Sequence, residues 1–278
     1  MAQTGENSPD HWKSRSVGWQ LSTAEAEPRD DVFNQALANA AGARPGKDIL
    51  DLAAGTGEPC ISMAKILQGA KTGSVTATDL TFEMLSVAKR RAALLEYSNI
   101  RFAISTMEAL PFADNSFDGA TCRLGLMFPA EKTACAREAR RVLKPGGRVA
   151  YLCWGTLAAN PAFELFARAM ERYFEEEFPL RMVRYSLGEP GSIAAILEEA
   201  GFSDVREEIV SYEREIAPGD NYFRHGISRT WPESVKNFSD ADWTSLLKHT
   251  EEVFSELRRG ENFFIPNSAN LGTGMADG

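Results

Sequence analysis

Two carboxylates flank a glycine-rich turn in the stretch Asp48-Ile-Leu-Asp-Leu-Ala-Ala-Gly-Thr-Gly-Glu-Pro-Cys60, and their chemistry limits what the turn can hold. Asp51 lies near the end of an apolar run and Glu58 at the exit of the turn. Gly55 and Gly57 supply backbone angles and bare surface that let a ligand approach the main chain. A dinucleotide pyrophosphate favours G-x-G-x-x-G/A before a helix N-terminus. Here Cys60 replaces the third small residue. Two carboxylates would repel a pyrophosphate and attract a cation. Asp79 ends the next predicted strand, where a carboxylate can take two ribose hydroxyls. A ligand with a ribose, positive charge and no phosphate is S-adenosylmethionine, whose sulfonium and ammonium are both cationic.

The elements that must hold these groups follow from the pattern around them. Ile49 to Leu52 reads as a buried strand, and Ala53 to Glu58 as a tight loop. Pro59 suits the first position of a helix, where its missing N–H leaves nothing unpaired. Strand, glycine turn and helix N-terminus form the ligand crevice of a doubly wound α/β sheet. Strands are expected at 73–79, 100–105, 117–122, 148–154, 203–215 and 260–274. Helices are expected at 30–42, 59–67, 82–95, 131–142, 161–178 and 191–200, and a helical insertion at 218–260. In the helix from Phe82, the residues Met84, Leu85, Ala88, Ala92 and Leu95 share one face. Lys144-Pro-Gly-Gly147 reads as a helix stop. Alternating strands and helices demand parallel pairing with right-handed crossovers. Residues 1–10 are polar and expected to be loosely ordered. His11, Trp12 and Trp19 follow them, and two tryptophans in a polar leader suggest docking onto the domain.

Four motifs in order, Asp51-Leu-Ala-Ala-Gly-Thr-Gly57, Asp79, Leu110-Pro-Phe112 with Ser116-Phe-Asp118, and Arg141-Val-Leu-Lys-Pro-Gly-Gly147, resemble class I S-adenosylmethionine-dependent methyltransferases. Within these they resemble the small-molecule branch, which includes quinone-biosynthesis C-methyltransferases. The resemblance covers roughly residues 45–155. It implies a Rossmann-like, seven-stranded, mostly parallel sheet in the order 3-2-1-4-5-7-6, with the last strand antiparallel and helical lid insertions. It implies an N-terminal arm or lid at 1–30 and a cofactor-binding core at 31–154. Residues 155–278 would complete the core and carry substrate-cap helices at about 155–185 and 218–260.

The resemblance also assigns the cofactor contacts. Asp51, Ala53, Gly55, Thr56 and Gly57 would face the methionine part, and Asp79 with Leu80 and Met84 the ribose side. Many family members carry an aspartate at the adenine edge, where this chain has Thr106. A threonine hydroxyl accepts the same hydrogen bond without a carboxylate's charge. Met107 can pack on the purine through its polarizable thioether, and Glu108 follows. Arg123 and Leu124 come after strand four, near the methionine part. The Arg123 guanidinium could instead pair with Asp118 or hold an acidic substrate. Asp51 could alternatively cap the glycine turn, and Asp79 the following helix. Alanine at either is expected to weaken cofactor binding with little loss of fold.

Methyl transfer needs little from side chains, because proximity to an activated sulfonium supplies much of the rate. A base matters only where the acceptor must lose a proton. His225, beside Tyr222 and Phe223, is the candidate base and His11 the reserve. The aromatics of 161–178 and 222–231 could line a pocket for an apolar or aromatic metabolite, methylated at oxygen, nitrogen or carbon.

The 278 residues suffice for one large α/β domain with insertions. A net charge of −9 argues against a nucleic-acid partner. No apolar run is long enough to span a bilayer and no secretion signal is read, so a cytoplasmic enzyme fits. Cys60, Cys122, Cys135 and Cys153 are widely spaced, which makes them buried thiols and not a metal site. A homodimer is compatible with all of this. The rivals are a methyltransferase-fold binding protein without chemistry and, more remotely, an NAD-dependent oxidoreductase.

Overall fold

The computed structural model describes residues 8–22, 32–68 and 72–277. Five parallel strands form its centre: β1 (Asp48–Leu52), β2 (Ser74–Asp79), β3 (Ile100–Ile104), β4 (Phe117–Arg123) and β5 (Leu143–Trp154). β6 (Ser203–Ile216) and β8 (Asn262–Met275) complete the sheet, and the two-residue β7 (Arg258–Arg259) pairs with β8. The order is β3-β2-β1-β4-β5-β8-β6, with β8 antiparallel to both neighbours. Without β7 this is the 3-2-1-4-5-7-6 order that the resemblance implied.

Alternation along β1 sorts the core into two layers, as a period of two requires. Ile49 packs with α2 (Val32–Ala40) and α3 (Cys60–Leu67). Leu50 and Leu52 face α5 (Lys132–Val142) and α7 (Ser192–Glu199) on the other side. α4 (Phe82–Leu94) packs along β2 and β3.

A second apolar cluster lies beyond the carboxyl end of β5. The ladder between β5 and β8 stops at Trp154 and Ala269, but β6 and β8 stay paired as far as Ile216 and Phe263. On this overhang pack α6 (Ala162–Phe174), α8 (Tyr222–Thr230) and α10 (Asp240–Val253), through Phe166, Phe223, Leu246 and Phe254. α9 (Pro232–Val235) joins α8 to α10. Ser239 and Asp242 begin α10 with a reciprocal capping box.

Several boundaries differ from the sequence reading. Residues 1–7 of the expected loose leader lie outside the described residues, but Pro9 and Asp10 already belong to a helix, α1 (Pro9–Ser22). The sequence shows no clean apolar stripe there, and α1 is held by docking. Gly18 has no side chain where the helix meets α8: a Cβ there would stand 2.5 Å from the Ser228 carbonyl oxygen. Pro59 is the N-cap residue of α3, one position before the helix. Leu143 enters β5 directly, so Lys144 to Gly147 extend a strand as well as ending a helix. α6 stops at Phe174, not Phe178, because Glu175 takes a left-handed conformation (φ 56°). Among the described residues, no helix is long and apolar enough to cross a membrane.

Candidate active site at the carboxyl edge

The glycine turn is tied down from three sides. The Ala54 amide donates to the Thr78 carbonyl at 2.8 Å, and the Gly55 amide to Asp79 Oδ2 at 2.9 Å. From α4, Arg91 Nη1 donates to the Thr56 carbonyl at 2.8 Å. Gly55 (φ 53°) and Gly57 (φ 115°) take left-handed angles that a side chain resists. A Cβ at Gly57 would also meet Ile61 Cδ1 at 2.6 Å, whereas one at Gly55 would enter open space. Ala53 (φ 51°) and Leu124 (φ 57°) are left-handed without being glycine. They follow the adjacent strands β1 and β4, and such angles cost about 1–3 kcal/mol each unless the surroundings enforce them. Strained backbone therefore gathers where strand order reverses, the usual ligand crevice.

Asp51 lies beneath this turn and is fully buried. Thr121, its register partner on β4, donates its hydroxyl to Asp51 Oδ1 at 2.7 Å, and Oδ2 has no hydrogen-bond partner. Burial pushes the carboxyl up to about 8, against the pull of the Thr121 hydroxyl and the nearby Cys60 amide. Asp79, also buried, uses both oxygens on the backbone. Beyond its bond from Gly55, Oδ1 accepts from the Thr81 amide at 3.0 Å and the Thr81 hydroxyl at 3.3 Å. Burial raises its pKa as well.

The other expected cofactor residues ring the same edge. Leu80 follows Asp79, and Met84 is buried in the first turn of α4. Thr106 is exposed and bridges Ala109 in a tight turn that also holds Met107 and Glu108. Met107 packs on the core beside Ala53, with its sulfur 3.8 Å from that of Cys122. Leu124 donates its amide to the Leu152 carbonyl at 2.7 Å.

One expectation and one alternative fail here. Glu58 is not an open carboxylate awaiting a cation. It pairs with Arg91 Nη2 at 2.7 Å, both side chains are buried, and its other oxygen accepts from Asn34 at 2.7 Å. Arg123 does not pair with Asp118, which sits at the opposite end of β4 held by Lys47 and Lys144, each at 2.9 Å. The Arg123 guanidinium lies over the Phe33 ring of α2.

The two histidines belong to packed helices. His225 is half-buried on α8. His11, on α1, meets Arg181 Nη1 at 2.9 Å through Nε2. Burial, with Arg15 and Arg181 nearby, lowers its pKa to about 4, so the ring is neutral and Nε2 accepts. α1 spans from the cap to the core. Arg15 donates to the Thr230 carbonyl at the end of α8 (2.8 Å), the ring of Trp12 meets Phe128 after β4 (4.7 Å), and Lys13 pairs with Glu83 of α4 (3.4 Å).

Sequence reasoning missed Thr121 and Arg91 as supports of the turn. Thr121 left no signal, since a threonine in a strand is ordinary. Arg91 did leave one, because it falls three residues after Ala88 on the apolar face of its helix.

The orphaned Oδ2 of Asp51, the lone pairs left on Asp79 and the open space at Gly55 suit a cationic nucleoside. The profile of the ubiE/COQ5 methyltransferase family matches residues 29–185, more than half of the chain. A demethylmenaquinone methyltransferase of Staphylococcus aureus is 30% identical over 190 residues, covering 63% of this chain and 76% of the relative. Among solved structures, the YcgJ protein of Bacillus subtilis is 21% identical with a TM-score of 0.55, over 88% of this chain and 98% of its own. A phosphoethanolamine N-methyltransferase of Haemonchus contortus, solved with S-adenosylhomocysteine, is 18% identical with a TM-score of 0.58, over 99% of this chain and 58% of its own. At these identities the two structures establish the fold. Taken with the glycine turn and its two carboxylates, the chain belongs to the ubiE/COQ5 methyltransferase family and is a class I S-adenosylmethionine-dependent methyltransferase.

Proposed function

We propose that this enzyme methylates a small aromatic or apolar metabolite, at oxygen, nitrogen or carbon, in the cleft between the sheet edge and the cap. The observation that carries this reading is a wall of aromatic rings beginning where β5 ends. Trp154 meets Phe163 of α6 at 5.3 Å, Phe163 meets Tyr185 at 6.1 Å, and Arg184 lies over Phe163 at 3.9 Å. Rings that meet edge to face line the end of β5 with apolar surface against which another ring can pack. The wall adjoins Arg123 and Leu124 through the ladder between β4 and β5. The name of the Staphylococcus aureus relative also specifies a ring-bearing acceptor, demethylmenaquinone.

S-adenosylmethionine supplies the methyl group on a sulfonium. Asp51 and the backbone from Ala53 through Thr56 to Gly57 hold the methionine end, and Asp79 with Leu80 and Met84 takes the ribose. Thr106, Met107 and Glu108 edge the adenine, while Arg123 and Leu124 close the side towards the acceptor. The cap and α1 exclude water while the acceptor is held in line, which supplies proximity and removes competing hydrolysis. Burial raises the Tyr185 pKa to about 12, against the pull of Arg184 beside it, so its hydroxyl remains neutral. His11, as a neutral acceptor, orients Arg181 at the mouth, and His225 is the cap residue available as a base. The setting is cytoplasmic and the partner a small molecule, in keeping with the acidic balance of the chain.

The test is a turnover screen. The purified enzyme with S-adenosylmethionine is offered phenols, quinols and aliphatic amines, and S-adenosylhomocysteine is quantified. Turnover confined to ring-bearing acceptors, and reduced in Phe163→Ala, supports the reading. Turnover of aliphatic amines alone overturns it.

A further inference from the structure

A second polar cleft of about 540 Å³ opens near the start of β5, away from the glycine turn, and is lined by Arg137, Arg140 and Arg141 of α5 with Asp114, Pro145 and Asp277. The three arginines are not equivalent. Every donor of Arg141 is used: Nε and Nη2 bond Glu138 at 2.8 Å each, Nη1 bonds Asp114 and the Phe112 carbonyl at 2.8 Å each, and Nη2 also reaches the Leu110 carbonyl. Arg137 pairs with Glu199 at 3.2 Å. Among the described residues the Arg140 side chain makes no hydrogen bond or ion pair, and its Nε is closed off from solvent without an acceptor. The two carboxylates of the cleft do not answer it: Asp114 is taken by Arg141, and Asp277 accepts the Ser203 hydroxyl at 2.6 Å.

Gly201 explains how Arg140 is held. A Cβ at that position would lie 3.7 Å from Nε and 3.9 Å from Cζ, so the guanidinium rests on the bare backbone that ends α7. A cation in the last turn of α5 interacts favourably with the helix dipole, which accounts for a basic residue there. It does not account for a fixed guanidinium with one N–H buried and unpaired, an arrangement that costs free energy until an acceptor arrives. Arg137 and Arg141 are already offset by Glu199, Glu138 and Asp114, so the uncompensated charge of the cleft is that of Arg140.

We propose that this cleft binds a small polyvalent oxyanion with the chemistry of a phosphate group, anchored by Arg140 and flanked by Arg137. A planar guanidinium fork matches phosphate oxygens in pairs, and a concave site favours a small ligand over an acidic protein face. The site is separate from the methyl-transfer cleft and does not depend on the identity of the acceptor.

The test titrates the full chain, saturated with S-adenosylhomocysteine to occupy the glycine turn, with pyrophosphate, inorganic phosphate and citrate by calorimetry. One-site binding of pyrophosphate is expected, weaker binding of phosphate, and a loss of about tenfold or more in Arg140→Gln, the size of one charge-assisted contact. Unchanged S-adenosylhomocysteine affinity and melting temperature in Arg140→Gln show that the variant is folded. Should that variant fail to fold, Arg140→Lys serves, which keeps the charge but loses the fork, and it too must bind pyrophosphate more weakly. Independently, the Arg140 Nε resonance in a nitrogen-15 spectrum must shift on adding pyrophosphate. Equal binding by wild type and variant, tighter binding of citrate than of pyrophosphate, or a motionless Nε resonance each overturns the proposal.

Discussion

Arg91 on α4 and Glu58 at the exit of the glycine turn form a buried ion pair 2.7 Å long, and the same guanidinium holds the Thr56 carbonyl. One residue thus fixes the turn from outside its own strand–loop–helix unit. Breaking a buried pair by removing one partner costs about 3–5 kcal/mol, because the survivor is left charged and unpaired. Arg91→Met is therefore expected to lower unfolding stability by about that amount and to weaken S-adenosylhomocysteine binding. The double variant Arg91→Met/Glu58→Leu should recover part of the stability but not the affinity, since Thr56 stays untethered. Urea unfolding and ligand titration of the three proteins check this. Full affinity in the double variant would mean that the turn keeps its shape unaided.

Asp51 and its orphaned oxygen make cofactor affinity depend on pH. Burial holds its pKa near 8 in the folded chain against 3.8 when unfolded, so the folded state keeps a proton that the unfolded state gives up. The stability associated with this group is complete below about pH 4 and is lost as pH rises towards 8. A cationic ligand above it favours the carboxylate and draws the proton off. Affinity for S-adenosylhomocysteine should rise between pH 6 and pH 8, with proton release visible as a dependence of the binding heat on buffer. Asp51→Asn should flatten both profiles. A wild type with constant affinity over that range would separate Asp51 from the cofactor's charge.

Much of this site was legible in the residues because it depends on short spacings. The glycine turn, Asp79 at the end of the next strand and the strand–helix alternation all follow from local chemistry, and they converge on one sheet edge. What stayed hidden depends on contacts between distant segments. Glu58 reads as an open carboxylate until Arg91, 33 positions away, arrives to neutralise it. Arg123 and Asp118 stand five positions apart, which looks close, yet a strand rises about 3.3 Å per residue and puts them at opposite ends of β4. The docking of α1 was legible from Trp12 and Trp19, but its helical form was not, because that rests on α8 and Phe128 and not on its own periodicity. The extension of β6 and β8 past β5 is a matter of register, which no single strand records.

α1 should undock in acid. His11 titrates near 4 in the folded chain against 6.5 when free, so its protonation opposes the packed arrangement with Arg15 and Arg181. The corresponding stabilisation is present above about pH 6.5 and is lost as pH falls towards 4. Lys13 also pairs with Glu83 across the same interface, at 3.4 Å. Hydrogen exchange of α1 amides should accelerate below pH 6.5, and His11→Gln, which keeps an acceptor but cannot be protonated there, should move the onset to lower pH. An unchanged onset in that variant would show that His11 does not set the acid response.

Asp79 has a structural duty that the sequence reading understated. Its carboxylate accepts the Gly55 and Thr81 amides, so alanine leaves two backbone donors unsatisfied at the turn and at the start of α4. Each unsatisfied buried donor costs about 1–3 kcal/mol, and Asp79→Ala should lose stability as well as affinity. Asp79→Asn separates the two duties. Its single carbonyl oxygen keeps at most one of the two anchored ends, so stability should fall by less than in the alanine variant, while the charge-assisted bonds to a ribose are lost outright. Thermal unfolding and S-adenosylhomocysteine titration of both variants distinguish the outcomes. If Asp79→Asn binds like wild type while Asp79→Ala does not, the carboxylate acts only by holding Gly55 and Thr81, and the ribose is bound by other groups at the end of β2.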